Sequence, residues 1–199
     1  GLKAERGVFN LGELKLILEE ARKTSPDWFT VTLVGVYTGQ RLRDCTDLEW
    51  AGVNFVDGTV TFKVYKKRGK KHSMPMHPIL RRHLESMAGD TAEKYVAPSL
   101  AGRETGGRSG LSMEFSEIMQ RAGVEAGQAE RTGKRAMSSR SFHSLRHTLT
   151  SLMANGDVAP ELRQRITGHD SERIHQQYTH HEQRSLARAL SVIPDLTAD

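Results

Sequence analysis

VNFVDGTVTFKVYKKRGKKHSMP, residues 53–75, is the one β-rich stretch in a chain of 199 residues, and its reading decides the fold. Asp57-Gly58 is a strong hairpin turn between short apolar runs. Thr59 to Tyr65 is β-branched and aromatic, the composition that suits a pleated, half-buried surface. Arg68-Gly69 offers a second turn before HSMPM. The stretch therefore predicts a small antiparallel sheet of three strands, with KKRGKK (66–71) at the tip of its second hairpin.

Outward from this sheet the pattern is helical. Leu11, Leu14, Leu18 and Ala21 recur at helical spacing in 11–23. Ser25-Pro26 opens a second apolar helix, from about Asp27 to Tyr37, which Thr38-Gly39 ends. A short helix follows over 42–48, and His77-Pro78 starts another that runs to about Met87. Residues 97–110 (APSLAGRETGGRSG) are rich in Gly and Ser and read as a mobile loop. A helix covers 112–122, and a polar loop runs from 125 to 139. Helices then continue over about 142–154, 159–167 and 172–178. A last amphipathic one, from about 180 to 192, has Leu186, Leu190 and Ile193 in line. The expected fold is mainly α with a small three-stranded antiparallel β-sheet (α+β), in one domain, 1–199.

The length is enough for a proper core. A lone cysteine, Cys45, excludes a disulfide scaffold and favours a reducing, cytoplasmic setting. The longest apolar stretch, FTVTLVGVY (29–37), is too short to span a bilayer. Net charge is +5, and its distribution says more than its size. Eight Lys or Arg and no acid lie between Gly58 and Leu84, and five more, again without an acid, between Arg131 and Gly156. Charge segregated in this way suits a polyanion, because each neutralised phosphate releases counterions.

Four short motifs could carry chemistry. In SFHSLRHT (141–148), His143, Arg146 and His147 fall at i, i+3 and i+4 on one helix face. A His-x-x-x-His pair can hold zinc, but the glutamate of HExxH is missing and no Cys or acid cluster accompanies it, so no metal is expected. In TGQRLRD (38–44), Gly39 releases the backbone and Arg41 opens the next element. Its guanidinium suits two oxygens of one phosphate, and Asp44 can orient it from behind. A lysine at the tip of KKRGKK can reach a substrate held elsewhere. In TGHDSERIHQQYTH (167–180), His169 and Tyr178 stand nine residues apart, which on one straight helix puts them on opposite faces. Gly168 can end one helix, and Asp170 or Ser171 can cap the next, so the sequence supplies a break that reunites them. Taken singly, each motif is more often a solvated or structural feature.

Taken in order, they resemble the phage-integrase (tyrosine recombinase) family over nearly the whole chain. Arg41 falls on its first catalytic arginine and Asp44 on the acid that often accompanies it. Lys67, eight residues before Pro75, falls on the hairpin lysine. Lys66 adjoins it, and a one-residue slip of the hairpin exchanges the two. His143 and Arg146 match the second box, His169 the Gly-His position and Tyr178 the nucleophile. Thr167 stands where the family commonly has Leu.

The resemblance implies a chemistry that suits these side chains. Arg41 and Arg146 would stabilise charge on the non-bridging phosphate oxygens, with His169 donating a third hydrogen bond. A phenol is a poor nucleophile at neutral pH, so Tyr178 needs a base, for which His143 is best suited by type. Lys67 would protonate the departing 5′ oxygen. The family precedent is a 3′-phosphotyrosyl intermediate, formed and reversed without metal, ATP or other cofactor, in tetramers on paired duplexes. Lys66, Arg68, Lys70, Lys71 and Arg140 are expected on the DNA backbone. The family's N-terminal DNA-clasping domain has no counterpart in 1–199, which therefore reads as a catalytic fragment, a monomer when isolated. Segment 180–199 carries an apolar stripe fit to dock on its own body or in trans on a neighbouring protomer. Two rival functions share the basic charge: relaxation of the type IB topoisomerase sort, and a non-catalytic DNA-binding module.

Overall fold

The computed structural model describes residues 7–65, 70–89, 92–127, 139–168 and 180–198, with main chain only at 180 and 181. Helix α1, Leu11–Thr24, starts at a capping box in which the Asn10 side chain accepts the Glu13 N–H and Glu13 accepts the Asn10 N–H. Its inward stripe is Leu14, Ile17, Leu18 and Ala21. Helix α2, Pro26–Thr38, has Ser25 as its N-cap and Pro26 in its first turn. It is buried on every side from Trp28 to Thr38, which makes it the central element. A helix apolar all round belongs in the interior, as its sequence anticipates.

Helices α3 (Leu42–Thr46), α4 (Pro78–Met87), α5 (Leu111–Arg121), α6 (His143–Asn155), α7 (Pro160–Thr167) and α8 (His180–Leu190) surround that centre. Helix α3 stops short of the expected residue 48, and a 3-10 turn follows at Trp50–Gly52. Helix α6 approaches α2 closely at Gly35. A Cβ there would lie 2.6 Å from Phe142 Cζ and 2.9 Å from Leu145 Cδ1.

The sheet consists of β1 (Val53–Asn54), β2 (Thr59–Val64) and β3 (Lys70–Pro75), antiparallel in that order. Val60 pairs with Met74 and Phe62 with His72, so the inward phase of β3 carries a buried histidine opposite a phenylalanine of β2. Helix α3 lies against β2, and α8 against β3 and α7.

Residues 97–110, expected to be mobile, are laced to the body. Asp27 Oδ2 accepts the Ser99 N–H at 2.8 Å, Asp47 Oδ1 accepts the Gly102 N–H at 2.8 Å, and Leu100 is buried. The expected helix over 172–178 lies outside the described residues. After α8 the tail folds back on its own chain. Ile193 and Leu196 are buried, Tyr37 Oη donates to Pro194 O (3.0 Å) and accepts the Leu196 N–H (2.9 Å). His77 stacks on Tyr37 with ring centroids 4.4 Å apart and donates Nε2–H to Ile193 O at 3.0 Å. Among the described residues no helix is long and apolar enough to cross a membrane.

Candidate active site

Thr38, Gly39 and Gln40 carry the chain from α2 to α3. Gly39 adopts a left-handed conformation (φ 63°), and a side chain there would meet Leu149 Cδ2 at 3.0 Å. The chain then straightens, so that Arg41 sits at the N-cap of α3 with its side chain partly exposed. One turn on, Asp44 is buried. Its Oδ2 is 4.0 Å from Arg41 Nη1, and its Oδ1 accepts the backbone N–H of Tyr65 at 2.9 Å. The acid thus backs Arg41 and also fastens the end of β2, where the lysine hairpin begins.

Arg146 enters from α6. Its spacing with His143 and His147 suggested a polar face, but only 2% of Arg146 is exposed, and it shares the interior with Leu145, Leu149 and Met153. Nη1 donates to Gly39 O at 3.0 Å, whereas Nε and Nη2 are buried without a hydrogen-bond partner among the described residues. A buried cation with unsatisfied donors is costly, and an anion that accepts those donors removes the cost. Burial, and next the charge of Arg41, push Arg146 down to about 10, against the pull of Asp44 and Cys45. It stays charged at neutral pH. Burial also raises the Asp44 carboxyl, opposed by the Tyr65 N–H and by both arginines. Arg41, Asp44 and Arg146 therefore form one electrostatic cluster, built from two sequence motifs about a hundred residues apart, with more positive than negative charge.

His143 is the first residue of α6, with its ring edge-on to His147 at 4.9 Å between centroids. Among the described residues no group of three or more His, Cys, Asp or Glu could hold a metal ion. Lys70 and Lys71 are exposed on β3. Arg140 is engaged within the fold, 2.8 Å from Glu13 and over the ring of Phe9. Lys66, Lys67, Arg68, His169 and Tyr178 lie outside the described residues. Two buried polar residues beside the cluster, Gln40 and His72, were not singled out from the sequence.

The fold, a helical body bearing a three-stranded sheet, is that of tyrosine recombinase catalytic domains. The chain belongs to the phage integrase family, whose model matches residues 10–184. No curated protein matches the sequence. Among solved structures, the integrase from mycobacterium phage Brujita is 16% identical with a TM-score of 0.59, over 100% of this chain and 61% of that one. XerA recombinase is 17% identical with a TM-score of 0.57, over 98% of this chain and 62% of its own. The lambda integrase catalytic core is 18% identical with a TM-score of 0.55, over 84% of this chain and 95% of its own. The chain thus spans about three fifths of the longer recombinases it matches.

Proposed function

We propose that this chain is the catalytic part of a site-specific DNA recombinase, acting in the cytoplasm on double-stranded DNA of a phage or other mobile element. The observation that carries this reading is Arg146, buried and in the electrostatic field of Arg41, with two guanidinium nitrogens unsatisfied among the described residues. A phosphodiester offers two non-bridging oxygens to such a pair, and the charge that builds on them in the transition state strengthens both contacts. Asp44 holds Arg41 in place and keeps the pair from excessive mutual repulsion.

In the proposed step the Tyr178 phenol oxygen bonds to phosphorus while His143 takes its proton. The bond to the 5′ oxygen breaks, and Lys67 protonates that oxygen. His169 adds a hydrogen bond to the phosphoryl group. The product is a 3′-phosphotyrosyl enzyme and a free 5′ hydroxyl. Attack by the 5′ hydroxyl of a second strand reverses the chemistry and regenerates Tyr178. One lambda integrase structure is a dimer on a core site and another a tetramer on a Holliday junction. These precedents support paired duplexes and a homotetramer for the whole protein.

The test is covalent trapping. A pool of nicked duplexes with randomised sequence and a 5′-labelled strand is incubated with the chain, and SDS-resistant adducts are recovered and mapped. Adduct on Tyr178, lost in Tyr178→Phe with duplex binding retained, is the expected result. Duplex binding without any adduct would leave a DNA-binding module. Adducts that relax supercoiled DNA but never join two marked duplexes would indicate a relaxase.

A further inference from the structure

The carbonyl of Ile166 receives side-chain donors from two other elements. Gln40 Nε2 lies 3.1 Å from it, and His72 Nε2 lies 2.9 Å from it. Because a carbonyl only accepts, His72 carries its proton on Nε2 for this bond. Gln40 Nε2 also donates to Thr38 O at 3.0 Å, so one amide spans the α2–α3 connection and the last turn of α7. Gln40 is 2% exposed and His72 9%. The His72 ring also backs the end of α7, 3.5 Å from where a Cβ on Gly168 would lie.

The last carbonyls of a helix have no partner within it, and water or a simple cap ordinarily satisfies them. Here the partners are instead a buried amide and a buried imidazole, each brought from another element. The elements joined here say what else the arrangement does. Gln40 precedes Arg41, and Gly39, on its other side, accepts Arg146. His72 stands on β3, the returning strand of the lysine hairpin. Ile166 lies three residues before His169 in the sequence. A single carbonyl is therefore the junction of the three segments that carry the proposed phosphate-binding and proton-donating groups.

We propose that Gln40 and His72 are positioning residues, which fix the α2–α3 connection, the hairpin and the end of α7 in one catalytic register. This rests on the recombinase reading. Neither side chain need touch DNA, so their loss should slow the chemical step and leave binding intact. Displacement of reacting groups by about 1 Å can cost about 10²-fold in rate.

The experiment compares the 199-residue chain with Gln40→Met, His72→Leu and His72→Gln on the randomised nicked-duplex pool. It records the rate of adduct formation, duplex affinity and the melting curve. Gln40→Met and His72→Leu are expected to cleave about 10- to 100-fold more slowly, with affinity within about twofold of wild type. His72→Gln, which keeps a donor at similar reach, is expected to recover most of the rate. Wild-type rates in both donor-deleting variants would overturn the proposal. So would a loss of adduct that follows only the folded fraction, or a His72→Gln variant as slow as His72→Leu. If Gln40→Met does not fold, the two His72 variants decide alone. A wild-type chain that forms no adduct overturns the recombinase reading and this proposal with it, whereas normal wild-type cleavage with indifferent variants overturns only the proposal.

Discussion

Arg146 Nη1 donates to the carbonyl of Gly39 at 3.0 Å, which ties the buried arginine of α6 to the residue two before Arg41. One nitrogen of the guanidinium is used to hold its place, and Nε and Nη2 have no hydrogen-bond partner among the described residues. Arg146→Lys keeps the charge but removes the planar fork. The rate of covalent trapping is expected to fall by about 10²–10³, the usual effect of losing a preorganised donor to a developing charge. A variant cleaving within about threefold of wild type would remove the arginine pair from the mechanism.

Asp44 offers a separation of stability from activity. Burial raises its carboxyl pKa, so the folded state binds the proton more tightly than the unfolded one. The ionised form therefore costs stability, increasingly as pH rises from the unfolded pKa through the folded one. Asp44→Asn keeps an acceptor for the Tyr65 N–H and sheds that cost. Its melting temperature at neutral pH is expected to equal or exceed wild type, while cleavage drops about tenfold as Arg41 loses its orienting charge. A lower melting temperature with full activity would reverse both halves of the argument.

Gly35 separates packing from chemistry. Gly35→Ala drives a methyl against Phe142 and Leu145, an overpacking expected to cost about 1–3 kcal/mol. In a domain of this size that lowers the melting temperature by about 2–4 °C per kcal/mol. Thermal denaturation checks it, and an unchanged melting point would mean that α6 can move away from α2 at no cost.

The tail should respond to acid. Burial pulls His77 below its ordinary 6.5 against the opposing influence of the Ile193 carbonyl and Asp195, and burial with Arg22 does the same to His83. A depressed histidine stabilises the fold fully above the unfolded pKa, and that contribution fades as pH falls through the folded one. Melting temperature is expected to decline below about pH 6.5, and His77→Gln to flatten the decline. An equally steep profile in His77→Gln would assign the acid sensitivity to other groups.

Local chemistry made much of this fold legible. Ser25-Pro26, Gly39, Asp57-Gly58 and His77-Pro78 each punctuate the chain through their own backbone preferences, and the elements end where those residues stand. What failed to show depends on distant partners. Lys63 and Arg140 counted towards two basic blocks, yet Lys63 holds Glu49, and Arg140 holds Glu13 across 127 positions. Residues 97–110 look like a mobile linker by composition, because the carboxylates that fasten them, Asp27 and Asp47, belong to other elements. Helical spacing put Arg146 on a face with two histidines but could not reveal that Arg146 is buried while His143 and His147 stay partly exposed. His72 left a faint signal: its two-residue phase with Met74 puts it on the buried side of β3. Gln40 left none: of its two acceptors, Thr38 O is local, and Ile166 O comes within reach only once α7 has folded against it.

The bonds from Tyr37 and His77 to the tail all address peptide groups of residues 193–196, never their side chains. Such a clasp reads the path of the chain and is indifferent to its spelling, apart from the apolar anchors Ile193 and Leu196 on either side. Of the two residues between those anchors, Asp195 is tied by its own carboxylate to Arg82 and Thr197, so Pro194 is the one that related chains could rewrite and still close their ends the same way.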